Sequence, residues 1–195
     1  MNTHRTVSAR LPASPESKAK YLRDPSNWIM AAQLQLRAAR LLSDKVNARI
    51  GGEGQTPRPG EGSTVDAMVI VDMDLFRPMY MLGGLALELV FKAAIVLNEP
   101  NAISDNGKGD WQNTGDGHRL TSLATRSGVP GLDTNLLATL EPFVSEKGRY
   151  PVDPETFYGD GALENFAGSH TAGIMDQIEK MYKSARQHIR EHNAA

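Results

Sequence analysis

The sequence contains no cysteine and carries almost no net charge. Its 195 residues have a formal net charge of −2 at neutral pH. The absence of Cys excludes disulfides, thiolate metal ligands and a Cys nucleophile, and it suits a reducing compartment. The small net charge excludes an overall attraction to nucleic acid or to acidic membranes, but it is compatible with a local basic surface.

The N-terminal region lacks the apolar run of a secretory signal peptide, because residues 1–20 are mainly polar. We expect a flexible tail over residues 1–20. A single domain over residues 21–195 should follow, since this length suits one domain with a sizeable core. Together with the absence of Cys, these features predict a cytoplasmic protein.

One long apolar run, PMYMLGGLALELVFKAAIVLNEP, occupies residues 78–100. Its length would span a bilayer, for which about 20 apolar residues suffice. Glu88 and Lys92 lie near its centre, where each charge would cost roughly 2.5–3.5 kcal/mol in a membrane. We therefore predict no membrane association and a helix buried among other helices. Gly83 and Gly84 predict that another backbone approaches this helix closely.

Apolar residues elsewhere recur at intervals of three and four, which predicts amphipathic helices. A first helix begins near Pro25, and a last helix runs from Thr171 to His192. Their expected core stripes are Trp28, Ala32, Leu36, Ala39, Ser43, Val46 and Ile50 in the first helix and Ile174, Ile178, Met181, Ala185 and Ile189 in the last. The run before Pro78 suits a helix that is broken or kinked at this proline. Two short helices begin near His118 and at Asp133, and Asp133 is the expected N-cap of the second. We predict an all-α fold, an up-and-down bundle of about five helices joined by long polar loops.

Two polar loops show no cofactor or metal motif. The glycines of residues 51–62 lack the spacing of dinucleotide and phosphate-binding loops. Residues 101–117 are rich in Asp, Asn and Gly but lack the ligand order of an EF-hand, so turns are the simpler interpretation. His188 and His192 are four apart but have no third ligand nearby. We predict neither a metal nor a cofactor.

Glu88 and Lys92 form a candidate ion pair, because they are four residues apart in the favourable order. Buried charges need partners. In one interpretation, His118 and Arg149 join them in a structural network that sets how the helices pack. In the other, Lys92 and Arg149 bind a nucleotide or phosphate in a polar pocket, and His118 titrates near neutral pH.

Three short motifs in a fixed order resemble those of the HEPN superfamily of small helical bundles. They are A-x-E-L-x-x-K at Ala86, Glu88, Leu89 and Lys92, G-H-x-L at Gly117, His118 and Leu120, and R-Y-P at Arg149, Tyr150 and Pro151. The resemblance covers about residues 25–192. It implies a HEPN-like bundle, commonly a homodimer, whose function concerns nucleotides or RNA.

Members of this superfamily include metal-independent endoribonucleases, often toxins of toxin–antitoxin or phage-defence systems, and non-catalytic partners of nucleotidyltransferases. The nucleases carry Arg-x(4–6)-His, in which both side chains act on the RNA phosphodiester. Arg186 and His192 have this spacing, whereas the first His after Arg149 is His170.

The resemblance implies a non-catalytic or weakly catalytic protein that binds nucleotides or RNA, with a nucleotidyltransferase or an antitoxin as a possible partner. Two alternatives stay open. One is an active endoribonuclease in which His192 moves a proton and Arg186 stabilises the developing charge. The other is a structural interaction module with no role in nucleic-acid binding.

Overall fold

The computed structural model describes residues 14–50, 65–113, 115–147 and 171–193. Within these ranges it contains six α-helices and no β-strand, which confirms the predicted all-α bundle. The helices are α1 (Pro15–Leu22), α2 (Pro25–Ile50), α3 (Val65–Asn98), α4 (Leu120–Ser127), α5 (Thr134–Pro142) and α6 (Thr171–Asn193).

Helix α3 is the centre of the bundle and packs against α2, α4, α5 and α6. Between Ala86 and Val96 nearly every side chain is buried, as expected for a helix that is apolar on all sides. The segment Leu75–Asn98 is long and apolar enough to cross a membrane, a test that buried core helices also pass. The protein itself buries 72% of its apolar window.

The sequence left a break or a kink open at Pro78, and the break is wrong, because α3 continues through this residue. Proline costs a helix one backbone hydrogen bond and introduces a steric clash. The next two residues, Met79 and Tyr80, are buried at 0% and 3% exposure. Burial of such side chains stabilises by about 1.5–3 kcal/mol each, which can offset the cost of the proline.

Helices α2 and α6 run antiparallel. Arg40 of α2 forms ion pairs with Asp176 and Glu179 near the start of α6, at 3.0 and 2.9 Å. Gln33, two turns before Arg40 in α2, lies beside Tyr182, which comes later in α6. The predicted core stripes of both helices face inward, since Ala32, Ala39, Ser43 and Val46 of α2 and Ile178, Met181, Ala185 and Ile189 of α6 are buried.

Helix α1 begins inside the segment that the sequence predicted to be a flexible tail. The Ser14 side chain caps it by accepting a hydrogen bond from the Ser17 amide, and Pro15 occupies the first turn. Ala19 is 2% exposed. The tail boundary at residue 20 therefore needs correction, because residues 15–20 belong to a helix that packs on the core. Residues 1–13 lie outside the described ranges.

Capping residues set the ends of the two short helices α4 and α5. Asp133 caps α5 by accepting hydrogen bonds from the amides of Asn135 and Leu136, as predicted. Gly128 ends α4 with φ at 70°, a left-handed conformation that favours glycine. After Pro142, which has no N–H to donate, the chain continues as a π-helical turn over Phe143–Lys147.

Gly83 and Gly84 make room for side chains, which corrects the predicted approach of another backbone. A Cβ on Gly83 would lie 2.8 Å from Ile178 Cδ1 of α6. A Cβ on Gly84 would overlap Val144 Cγ2 of the π-helical turn. The two glycines therefore allow one side chain of α6 and one of the π-helical turn to pack directly against the backbone of α3.

Candidate functional site

The buried ion pair of α3 is the centre of the candidate site. Lys92 Nζ lies 2.6 Å from Glu88 Oε1, and the two side chains are 7% and 5% exposed. The four-residue spacing places both side chains on one face of the helix. A pair this deeply buried is stable only when its remaining donors and acceptors also find partners.

The segment before α4 supplies those partners. Lys92 Nζ donates a second hydrogen bond, of 2.7 Å, to the carbonyl oxygen of Gly117. His118 Nδ1 lies 3.0 Å from Glu88 Oε2, and the His118 side chain is 44% exposed. Each carboxylate oxygen of Glu88 thus has a partner, and the imidazole extends the network from the core to the surface.

Trp111 lies against the Lys92 end of the pair, and Trp28 packs on Trp111. The Trp111 ring centroid lies 5.3 Å from Lys92 Nζ, a cation–π distance, and the ring is 5.8 Å from that of Trp28 in an edge-on arrangement. Trp28 Nε1 donates a 2.6 Å hydrogen bond to the Leu22 carbonyl. Sequence reasoning missed Trp111. The available signal was a single large aromatic residue in an otherwise polar loop.

These contacts favour the structural interpretation of the cluster. Two of the three Lys92 N–H groups are donated to Glu88 and Gly117, and the indole of Trp111 lies against the ammonium group. An anion would have to displace these partners in order to bind Lys92. Three of the four predicted residues, Glu88, Lys92 and His118, are brought together. Arg149 lies outside the described residues.

A second ion cluster attaches the segment between α3 and α4, which contains Trp111, to α4. Sequence reasoning gave no indication of this cluster. Arg126 Nη2 lies 2.6 Å from both Glu99 Oε2 and Asp110 Oδ2. The hydrogen bond from Arg126 is the main reason that the pKa of Asp110 is lowered, and the same bonds raise the pKa of Arg126. These groups are partly exposed, so the cluster contributes modestly to stability.

The predicted catalytic residues lie on α6 but do not face each other within one chain. Arg186 is half-buried and His192 is exposed. The two residues are six positions apart in the helix. At about 100° per residue, their side chains point about 120° away from each other, and they lie about 9 Å apart along the helix axis. The buried residues Ala185 and Ile189 occupy the arc between them. The endoribonuclease alternative would therefore need Arg186 and His192 from two chains to meet.

His192 packs on His188 instead, with ring centroids 4.1 Å apart. Its Nδ1 lies 2.9 Å from the His188 carbonyl oxygen, one turn earlier in the same helix. His188 Nε2 is buried, with no hydrogen-bond partner among the described residues. Burial lowers the pKa of His188, and the nearby His192 lowers it further. His188 is therefore mainly a neutral packing residue.

Lys183, Arg186 and Arg190 form a basic stripe on α6. Steps of three and four residues place them within about 60° of one another and over about 10 Å of helix. Lys183 is 74% exposed and Arg190 is also exposed. Glu179 lies 3.6 Å from Lys183 at one end of the stripe, where it also pairs with Arg40. The stripe is a local basic surface of the kind that a protein with a small net charge can still carry.

Comparisons with protein-family models, with curated proteins and with solved structures give no match for this chain. The HEPN relationship therefore stays a prediction that depends on the three short motifs. Among the described residues, no group of three or more His, Asp or Glu side chains is arranged to hold a metal ion.

Proposed function

We propose that this protein is a HEPN-like RNA-binding protein without strong catalytic activity. The observation that carries the proposal is the basic stripe of α6, which Lys183, Arg186 and Arg190 form on a protein of net charge −2. Phosphate contacts from Lys and Arg supply most of the sequence-independent affinity for nucleic acid. A toxin–antitoxin or phage-defence role, with an antitoxin or nucleotidyltransferase as partner, belongs to the same proposal.

RNA fits the stripe better than a single nucleotide does. Small ligands bind in concave pockets that enclose most of their surface. The stripe is a row of charges along the outside of a helix, and this arrangement suits successive phosphates of one strand. The buried cluster at Lys92 is a poorer site, since its ammonium already contacts Glu88, Gly117 and Trp111.

The test is fluorescence anisotropy with a labelled single-stranded RNA between about 50 and 200 mM salt. A variant with Lys183, Arg186 and Arg190 changed to Gln should bind at least about tenfold more weakly. Its plot of log affinity against log salt should be shallower by about 2, because each lost contact removes about 0.7. A matched control changes three exposed lysines on another face, Lys18, Lys20 and Lys108, to Gln.

Equal losses in both triple variants, or no binding by the wild type, would refute the proposal. The same RNA, analysed on a denaturing gel after incubation, separates binding from cleavage. Cleavage that His192→Ala abolishes would favour the endoribonuclease alternative, in a dimer that brings Arg186 of one chain to His192 of the other. Absence of any RNA effect would favour the structural interaction module.

A further inference from the structure

Helix α2 exposes three large apolar side chains on the face opposite the core. Met30, Leu34 and Leu41 are 54%, 61% and 65% exposed. Helical geometry places them within about 40° of one another and nearly opposite the buried Ala32 and Ala39. Single exposed apolar residues are ordinary on a protein surface. Met30 and Leu34 differ from Leu41, however, in where they lie relative to the basic stripe of α6.

Two contacts between α2 and the antiparallel α6 show which residues lie level with each other. Arg40 of α2 pairs with Asp176 and Glu179 of α6, at 3.0 and 2.9 Å. Gln33, two turns earlier in α2, lies beside Tyr182. Each step towards the start of α2 therefore corresponds to a step of equal length, about 1.5 Å per residue, towards the end of α6.

This register places the basic stripe beside two of the three apolar residues. Leu34 is level with Lys183, and Met30 is level with Arg186, each to within about one helical turn. Leu41 is level with the start of α6, where the first two charged side chains are acidic. The two helices therefore present positive charges next to exposed apolar side chains at the level of Met30 and Leu34.

The stripe and the apolar residues also lie on the same side of the helix pair. Asp176 and Glu179 mark the flank of α6 that faces α2, and the stripe lies within about 80° of both. Arg40 marks the flank of α2 that faces α6. The exposed Arg37 lies between this flank and Leu34. A continuous surface therefore runs from the stripe, past Arg37, to the apolar side chains.

We infer that Met30 and Leu34 contact the bases of an RNA strand whose phosphates lie on the stripe, an inference that rests on the proposed function. A single strand offers charged phosphates beside the flat faces of its bases, and unpaired bases pack against aromatic and apolar side chains. Positive charges beside apolar side chains match this chemistry. In a duplex the base faces are stacked inside, so Met30 and Leu34 should contribute nothing to duplex binding.

Fluorescence anisotropy with a single-stranded RNA, and with a duplex of the same sequence, tests the inference. Leu34→Ser should weaken single-strand binding about fivefold, because apolar surface that the base covers is lost, and should leave duplex binding unchanged. The slope of log affinity against log salt should stay the same, since no charge is removed. The matched control is Leu41→Ser, which removes a similarly exposed leucine and should bind both RNAs as the wild type does.

A gain of affinity tests the same contact in the opposite direction. Leu34→Trp should tighten single-strand binding at least about threefold, because an indole ring stacks on bases. Misfolding cannot produce such a gain. Leu41→Trp is the matched control and should leave the affinity unchanged. Circular dichroism checks that all four variants keep their helical content.

The outcomes distinguish this inference from the proposed function. If the triple stripe variant loses affinity while Leu34→Ser binds as the wild type does, the stripe binds RNA but the inference is wrong. Equal losses in Leu34→Ser and Leu41→Ser, or equal losses for single strand and duplex, would also overturn it. Absence of RNA binding by the wild type would refute the proposed function, and the inference with it.

Discussion

Removal of Lys92 should destabilise the protein far more than the loss of a surface charge. Lys92→Met keeps most of the side-chain volume but leaves the 5%-exposed Glu88 without its closest cation. Breaking a buried pair by deletion of one partner costs about 3–5 kcal/mol. His118 still lies 3.0 Å from the other carboxylate oxygen. We therefore expect the lower end of this range, about 3 kcal/mol, from urea unfolding followed by circular dichroism.

The double variant Glu88→Leu, Lys92→Met distinguishes the cost of leaving the buried Glu88 unpaired from the cost of lost packing. Replacement of a whole buried pair by apolar side chains is often neutral or stabilising. In both variants the Gly117 carbonyl loses its donor, Lys92 Nζ, which costs about 1–3 kcal/mol, so this loss cancels when the two variants are compared. The double variant should therefore be more stable than Lys92→Met alone. A cost below about 1 kcal/mol for Lys92→Met, or a double variant less stable than it, would refute the reasoning.

Two further predictions concern the core. Gly84→Val should destabilise by about 3 kcal/mol, because its side chain would overlap Val144, whereas Gly173→Ala, with open space around it, should be neutral or slightly stabilising in the same urea unfolding assay. Burial raises the pKa of Tyr80 to about 12. Its stabilising contribution is therefore complete below pH about 10 and is lost as pH rises towards 12. Absorbance titration should show this late ionisation, and Tyr80→Phe should remove it.

Periodicity made the long helices predictable. The three- and four-residue intervals of α2 and α6 correctly identified their buried faces, because a helix in a bundle must turn its apolar stripe inward. The Asp133 cap was predictable for the same kind of local reason, since its side chain satisfies amides two and three residues away. Local hydrogen bonds and burial of one helix face both depend on residues that are close together in the chain, so the sequence alone indicates them.

Contacts between distant segments were less predictable. Nothing near Lys92 in the chain identifies the Gly117 carbonyl or the Trp111 ring as its partner. The ion pairs of Arg126 with Glu99 and Asp110 likewise form only when the segment between α3 and α4 folds. The continuity of α3 through Pro78 is accompanied by burial of Met79 and Tyr80, a tertiary effect large enough to offset the local cost of proline.

The two groups of charges on this protein should therefore have separable effects. Lys92 donates its hydrogen bonds to Glu88 and Gly117, so its removal should lower the free energy of unfolding. The molecules that remain folded should bind RNA normally. The basic stripe on α6 is largely solvated, so its removal should lower RNA affinity while stability changes little. If Lys92→Met instead weakens RNA binding of the folded protein as strongly as the stripe variant does, the buried cluster is part of the binding site.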